Sequence, residues 1–229
     1  MLTLADELVL LAINENGDVA SSASLSLDHG IAAAHLLELA LAGRVRLNEG
    51  DVVVVDRTPT GDQPVDEVLS AVGRATPPRG TQQWLGELAA GVRGPVLAGL
   101  HERGILDERT GRVLGLIPRT RHVEADPVPE REVRARLHAA LAAAGEVDAR
   151  TAALGSLVKA TELWSEVFPD KDERALARSR LGELSTGQAL RDALGAANES
   201  LVTTLGMVVA TPMAASVAST GAAVVIVGM

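Results

Sequence analysis

The sequence predicts a mainly α-helical single domain, organised around one buried helix and carrying two short β-hairpins. Three observations predict it. The stretch at residues 30–47, GIAAAHLLELALAGRVRL, opens with an apolar run that only His35 and Glu38 interrupt. A helix apolar on every side has to be covered by other elements, so residues 31–42 are expected at the centre. The chain is 47% hydrophobic yet has no Tyr, one Phe and two Trp; Ala, Leu and Val must fill the interior, which suits closely packed helices. Finally, one unit occurs twice: an apolar helix, a glycine, then short strands about a polar turn, at 31–55 and again at 96–117. The recurrence hints at internal duplication.

In chain order, Thr3 with Asp6 three residues on has the spacing of a capped helix start, so 2–13, with Leu8, Leu10 and Leu11, is read as a helix packed on the central one. Residues 14–17 make a turn, and the small, Ser-rich 18–26 a loop or weak edge strand. Gly43 suits the left-handed position past a helix end. Residues 44–47 and 52–55 then form a hairpin about the turn at 48–50. The turn-rich TPTGD at 58–62 leads into a helix with Val65, Leu69 and Val72 on one face, ended by Pro77-Pro78. Thr81 is placed to cap a helix with Trp84, Leu85, Leu88 and Val92, closing near Gly94-Pro95, and another helix spans 96–102. After Gly104, Ile105 and Leu106 lead through a polar turn at 107–111 into a strand at 113–117. Asp126-Pro127 and Pro129 open an amphipathic helix with Val133, Leu137 and Leu141. Asp148 opens the next, expected to run through Trp164 and Val167 to Pro169, and 172–184 reads as a charged surface helix. Ser185 with Gln188 matches a capping box.

Residues 1–210 are thus assigned to the helical domain and the uncharged 211–229 to a tail. A bilayer span needs about 20 apolar residues. Thr203, Thr204, Thr211, Pro212, Ser216, Ser219 and Thr220 dilute this end, so a buried helix to about Val209 followed by a disordered tail is favoured, with membrane insertion and partner binding as the alternatives.

Charge and composition exclude several functions. The net charge of -9 argues against nucleic acid, whose non-specific binding rests on Lys and Arg neutralising phosphates. With no Cys, disulfides and thiolate metal sites are excluded, which suits a reducing compartment. No charged segment followed by an apolar one opens the chain, so a cytoplasmic location is expected, on or off the inner face of the membrane. His29, His35, His101, His122 and His138 lack metal-ligand spacing. Asp62, Asp66 and Glu67 read better as turn chemistry and an N-cap than as an acid–base pair, and no glycine-rich phosphate loop is present. No catalytic residue, metal or cofactor is therefore assigned. Arg112, Arg119, Arg121, Arg131, Arg134 and Arg136 crowd 112–136; they read as a solvated face paired with Glu124, Glu130 and Glu132, or as a patch for an anionic lipid or acidic partner.

The strings LLELALAGRVRL (36–47), TPTGDQPVDEVL (58–69), QQWLGEL (82–88), HERGILDERTGRVLGL (101–116) and DARTAALGSL (148–157), in this order, resemble the Golgi phosphoprotein 3 family in one of its bacterial branches. The resemblance implies a non-enzymatic peripheral membrane adaptor: a helical domain that binds phosphatidylinositol 4-phosphate, links glycosyltransferase tails to coatomer, and uses a β-hairpin for self-association and membrane contact. Carried over residue by residue, the headgroup pocket's tryptophan falls at Ala23, its first arginine at Ala32 and its two further basic positions at Ala90 and Arg93. Arg93 alone keeps the chemistry. The hairpin contact falls on Leu114, Leu116 and Ile117 with a cationic rim of Arg112, Arg119 and Arg121. The expected partners are an anionic lipid headgroup or membrane surface, a second copy through the hairpin, and a protein client that the sequence does not identify. A winged-helix-like regulatory or interaction domain is the alternative, but it wants a basic recognition helix, and residues 31–42 are apolar and acidic.

Overall fold

The computed structural model describes residues 1–20, 22–24, 26–113, 117–142 and 147–184, with side chains at 112–119 and 181–184 left aside. The capping box at 185–188, the uncharged end and the proposed boundary at 210 lie outside these residues.

The centre is a trio of helices rather than one. Helix α1 (Leu4–Ala12) is buried at all nine positions, α2 (Leu27–Leu41) over most of its length, and α7 (Ala149–Ala160) everywhere except around Lys159 and its N-terminus. The three pack on one another, and α3 (Gln63–Arg74), α4 (Thr81–Leu88), α5 (Arg93–Glu102), α6 (Val128–Ala142), α8 (Trp164–Val167) and α9 (Lys171–Leu184) surround them. Close approach needs small residues. A Cβ at Gly30 of α2 would stand 2.4 Å from Thr161 Cγ2 and 3.0 Å from Leu8 Cδ2, so glycine is required where α1 and the end of α7 converge on α2.

Local signals act as their chemistry dictates. Thr3 Oγ1 accepts from Asp6 N–H (3.2 Å) while Thr3 N–H donates to Asp6 Oδ2 (2.8 Å), a reciprocal cap of α1. Asp62 caps α3, accepting from Val65 N–H at 3.2 Å. Asp66 gathers the TPTGD turn, accepting from Thr60 N–H (2.6 Å), Thr60 Oγ1 (2.8 Å) and Gly61 N–H (3.1 Å). Both carboxylates therefore serve turn and cap.

Strands β1 (Val45–Asn48) and β2 (Asp51–Val54) form the first hairpin, and β3 (Arg79–Gly80) extends it on the β2 side. The second hairpin is longer than its sequence suggests. Residues 107–111 are not a turn; they belong to β4 (Leu106–Val113), which pairs with β5 (Ile117–Glu124) from Leu106↔Glu124 to Val113↔Ile117. Three further corrections have local causes. Gly80, not Thr81, is the N-cap of α4. Helix α5 begins at Arg93, because Gly94 and Pro95 occupy its first turn, where proline's missing N–H leaves no bond unmade. The helix opened by Asp148 stops at Ala160, and the chain turns through Glu162, whose φ is 59°, before α8.

The repeated unit is visible in the backbone. Gly43 and Gly104 both have φ of 68°. Arg44 N–H reaches back to Leu39 O (2.8 Å) as Ile105 N–H does to Leu100 O (3.0 Å). Each hairpin then closes on that same residue: Arg44 O accepts from Val55 and Asp56 N–H, and Ile105 O from Ala125 and Asp126 N–H. Helix end, left-handed glycine and hairpin clasp recur as one geometry.

Candidate functional site

Three polar regions stand out. The first is internal. Glu7 (4% exposed) and Glu38 (19%) both face Arg150, at 3.3 Å and 2.8 Å. Arg150 also donates to Leu2 O (2.6 Å), Glu38 accepts from Leu4 N–H (2.7 Å), and Arg136 of α6 pairs with the other oxygen of Glu7 (2.6 Å). The one acidic residue inside the central apolar run thus fixes the start of α1 against α7. Arg134 reaches Glu130 and the carbonyl oxygens of Glu166 and Val167. Arg134 and Arg136 are thus tied to the body rather than displayed on a free cationic face.

Beside this network, the start of α1, the 60–64 loop and α5 enclose a cavity of about 420 Å³. Asp6, paired with Arg103 at 2.6 Å, lies at its wall, and His35 of α2 at its floor. His35 is 2% exposed and its Nδ1 has no hydrogen-bond partner among the described residues. Burial pushes this imidazole down to about 4, against the opposing fields of Asp6 and Glu38. Burial likewise raises Asp62 above the usual carboxylate range. The imidazole is neutral in the fold but takes a proton in the unfolded chain below its ordinary value near 6.5. Its contribution is therefore full at pH 7 and is lost as pH falls from about 6.5 to about 4, at roughly 1.4 kcal/mol per pH unit. Urea unfolding of wild type and His35→Leu between pH 7 and pH 4.5 is expected to show the wild type losing roughly 2–3 kcal/mol more than the variant; parallel curves would place His35 in contact with solvent.

The third region holds the positions that the family resemblance singles out. Ala23 and Ala32, where the headgroup pocket's tryptophan and first arginine would stand, are both 0% exposed, packed in the core. Ala90 is at the surface. Arg93, at the start of α5, pairs through Nε with Asp28 Oδ1 of α2 at 2.8 Å. The structure does not assemble these positions into a basic pocket; it places a single arginine in an ion pair. In the hairpin, Leu114 and Leu116 lie outside the described residues, while Arg112, Ile117 and Arg119 are placed by backbone register alone, opposite Pro118, Val113 and Gly111. Arg121 is exposed and sits directly opposite Arg109, also exposed, with Asp18 Oδ2 4.0 Å from its Nε. Strand alternation puts 109, 111, 119 and 121 on one face. The other face meets the body: His122 Nδ1 lies 3.3 Å from His101 Nε2 of α5, the rings stacked at 5.2 Å. Burial, then the neighbouring His101, lowers the His122 pKa.

Among the described residues no group of three or more His, Asp or Glu side chains converges on a metal-sized site, and no helix is long and apolar enough to cross a membrane. Asp6, Asp62, Asp66 and Asp148 are used in caps and turns, and Glu7, Asp28, Glu38 and Glu130 in ion pairs. Residues 4–201 match the family model of Golgi phosphoprotein 3 (GPP34), and the chain belongs to that family. The family is non-catalytic, and membership points to an adaptor-like protein.

Sequence reasoning found Arg93 and Arg121 but not their partners. The internal network and the cavity went unseen as well, since His35 and Glu38 read only as interruptions of an apolar run.

Proposed function

We propose that this chain is a non-enzymatic peripheral adaptor that meets anionic membrane surfaces through the β4–β5 hairpin, by charge, without selecting phosphatidylinositol 4-phosphate. The observation that carries the reading is the pairing of Arg109 with Arg121. Like charges directly opposite one another destabilise a hairpin, and an anionic surface against that face relieves the repulsion. The headgroup position offers less, because Arg93 pairs with Asp28 at 2.8 Å, closer than Asp18 stands to Arg121 (4.0 Å), and two of its three companion positions, Ala23 and Ala32, are core alanines. A phosphomonoester is held well by several convergent guanidiniums, and one already paired makes a weak site. The same hairpin is the element through which a second copy would dock, since a two-stranded hairpin is marginal alone and gains order by burial.

The test replaces the opposed pair, Arg109→Ser with Arg121→Ser. At about 1 kcal/mol per basic residue near an anionic surface, binding to phosphatidylserine vesicles is expected to fall roughly thirtyfold, with the thermal midpoint unchanged or slightly raised. Deletion of 109–120 is expected to abolish both flotation and any oligomer seen by light scattering while leaving the helical circular dichroism. A deleted chain that still floats and still self-associates would reduce the hairpin to a structural cap.

A further inference from the structure

We propose that the contact between His101 and His122 is a proton-operated latch: it holds the β4–β5 hairpin on the helical body at neutral pH and releases it in mild acid, where the freed hairpin binds anionic membranes more strongly. The membrane consequence rests on the function proposed above; the latch itself does not.

The hairpin is tied to the body at its base and along β5. At the base, Ile105 O accepts from Ala125 and Asp126 N–H. Along β5 the ties converge on His122. Its N–H donates to Gly17 O (2.8 Å), and its ring Nδ1 lies 3.3 Å from His101 Nε2 of α5, with the rings stacked at 5.2 Å. The backbones fit closely there, since a Cβ at Gly17 would stand 2.8 Å from His122 O. Beside them, Asp18 Oδ2 lies 4.0 Å from Arg121 Nε. A two-stranded hairpin is marginal alone, so its order depends on these ties, and weakening one of them opens it before the helical body is affected.

Two imidazoles at that separation make one hydrogen bond, in which one ring nitrogen donates and the other accepts. A first added proton leaves this bond intact, because it enters on a ring nitrogen outside the contact. A second must go to the accepting nitrogen; it removes the acceptor and sets two like charges face to face. The pair is therefore closed with up to one added proton and open with two. Burial opposes the charging of His122 most, followed by His101 on α5; Glu108, directly opposite on β4, favours it, Arg93 on α5 opposes it, and the balance lowers the His122 pKa. Asp18, on the turn that receives the His122 N–H, stands by Arg121. Once the hairpin leaves the body, the ring returns to its ordinary value near 6.5. A group held lower in the docked state takes its proton more readily in the open one, so docking is complete at pH 7.4 and is lost as pH falls below about 6.5. Opening also adds positive charge to a hairpin that already carries Arg109 and Arg121, which strengthens its attraction to anionic lipid.

Hydrogen exchange of the full chain, with each rate divided by the intrinsic rate at that pH, reads the latch directly. Protection of the amide at 122, which closes the hairpin onto Gly17, is expected to fall at least tenfold between pH 7.4 and pH 5.5, while the amides of α2 keep theirs. The double variant His101→Phe with His122→Phe keeps two rings in contact but takes no proton, and its protection at 122 should change less than twofold. His138→Gln, away from the hairpin, should behave as wild type. Should the double variant fail to fold, His122→Gln leaves one titratable ring in the pair and carries the same test. On phosphatidylserine vesicles, wild-type binding should rise about tenfold over the same range, and that of the double variant less than twofold. Equal protection at the two pH values, an equal loss in the double variant, or an opened hairpin that binds vesicles no more strongly than the closed one would overturn the proposal. Acid opening in a chain that binds no vesicles at either pH would uphold the latch and overturn the membrane function proposed above.

Discussion

Replacing Leu37 by Asp is expected to leave the chain without a soluble folded form. Leu37 is 1% exposed on α2, and α1, α3, α4 and α7 pack around that helix. Truncating such a side chain to Ala costs about 2–5 kcal/mol through lost transfer and cavity terms. Aspartate adds a carboxylate with no partner in an aliphatic interior, so it must either protonate or draw water into the core. The sum exceeds about 5 kcal/mol, against a total stability of about 5–15 kcal/mol for a domain. Leu39→Asp, at a position 0% exposed, is expected to behave alike. Soluble yield and circular dichroism check both; variants that express and melt like wild type would mean that α2 is not covered on every side.

Arg150→Ala is expected to cost about 2–4 kcal/mol. One guanidinium serves Glu7, Glu38 and Leu2 O, so among the described residues its loss leaves Glu7 held by Arg136 alone and Glu38 by Leu4 N–H alone. Glu7, 4% exposed, cannot recover the lost bond from water, which makes breaking such a pair dearer than never having built it. Arg150 itself is 23% exposed, so screening keeps the cost below that of a fully buried ion pair. Lysine has no planar fork to span two carboxylates, and Arg150→Lys should recover less than half of the loss. In a cycle with Glu38→Ala the two changes should be markedly non-additive, because they share one bond. Urea unfolding within 0.5 kcal/mol of wild type would show that the network is ornamental.

What could be read from the chain and what could not divides by the range of the interaction. Thr3 with Asp6, Asp62 before Val65, and Asp148 before Thr151 sit three residues apart, and their caps form as that spacing implies. Gly43 and Gly104 were legible for the same reason: only the preceding turn decides what they must do. Residues 107–111, Asp-Glu-Arg-Thr-Gly, read as a turn because their local preference is for one; pairing with residues 119–123 overrides it. The break at Glu162 carried no Gly or Pro to announce it. At the candidate site, Arg93 and Asp28 are 65 residues apart, Arg103 and Asp6 97, and Arg150 and Glu7 143. No periodicity reports such pairs, so the sequence showed which arginines were present but not which were engaged. Arg93, a headgroup candidate by resemblance, is paired with Asp28, a partner that no local pattern announces.

Binding by charge without headgroup selection is measured most directly by flotation on vesicles matched in surface charge, one set with phosphatidylinositol 4-phosphate and the other with phosphatidylserine. Matching removes the screening difference that would otherwise mimic specificity. Equal binding to the two sets, falling together with added salt and indifferent to Arg93→Ala, is the expected result. A strong preference for the phosphoinositide vesicles that Arg93→Ala abolishes would contradict it.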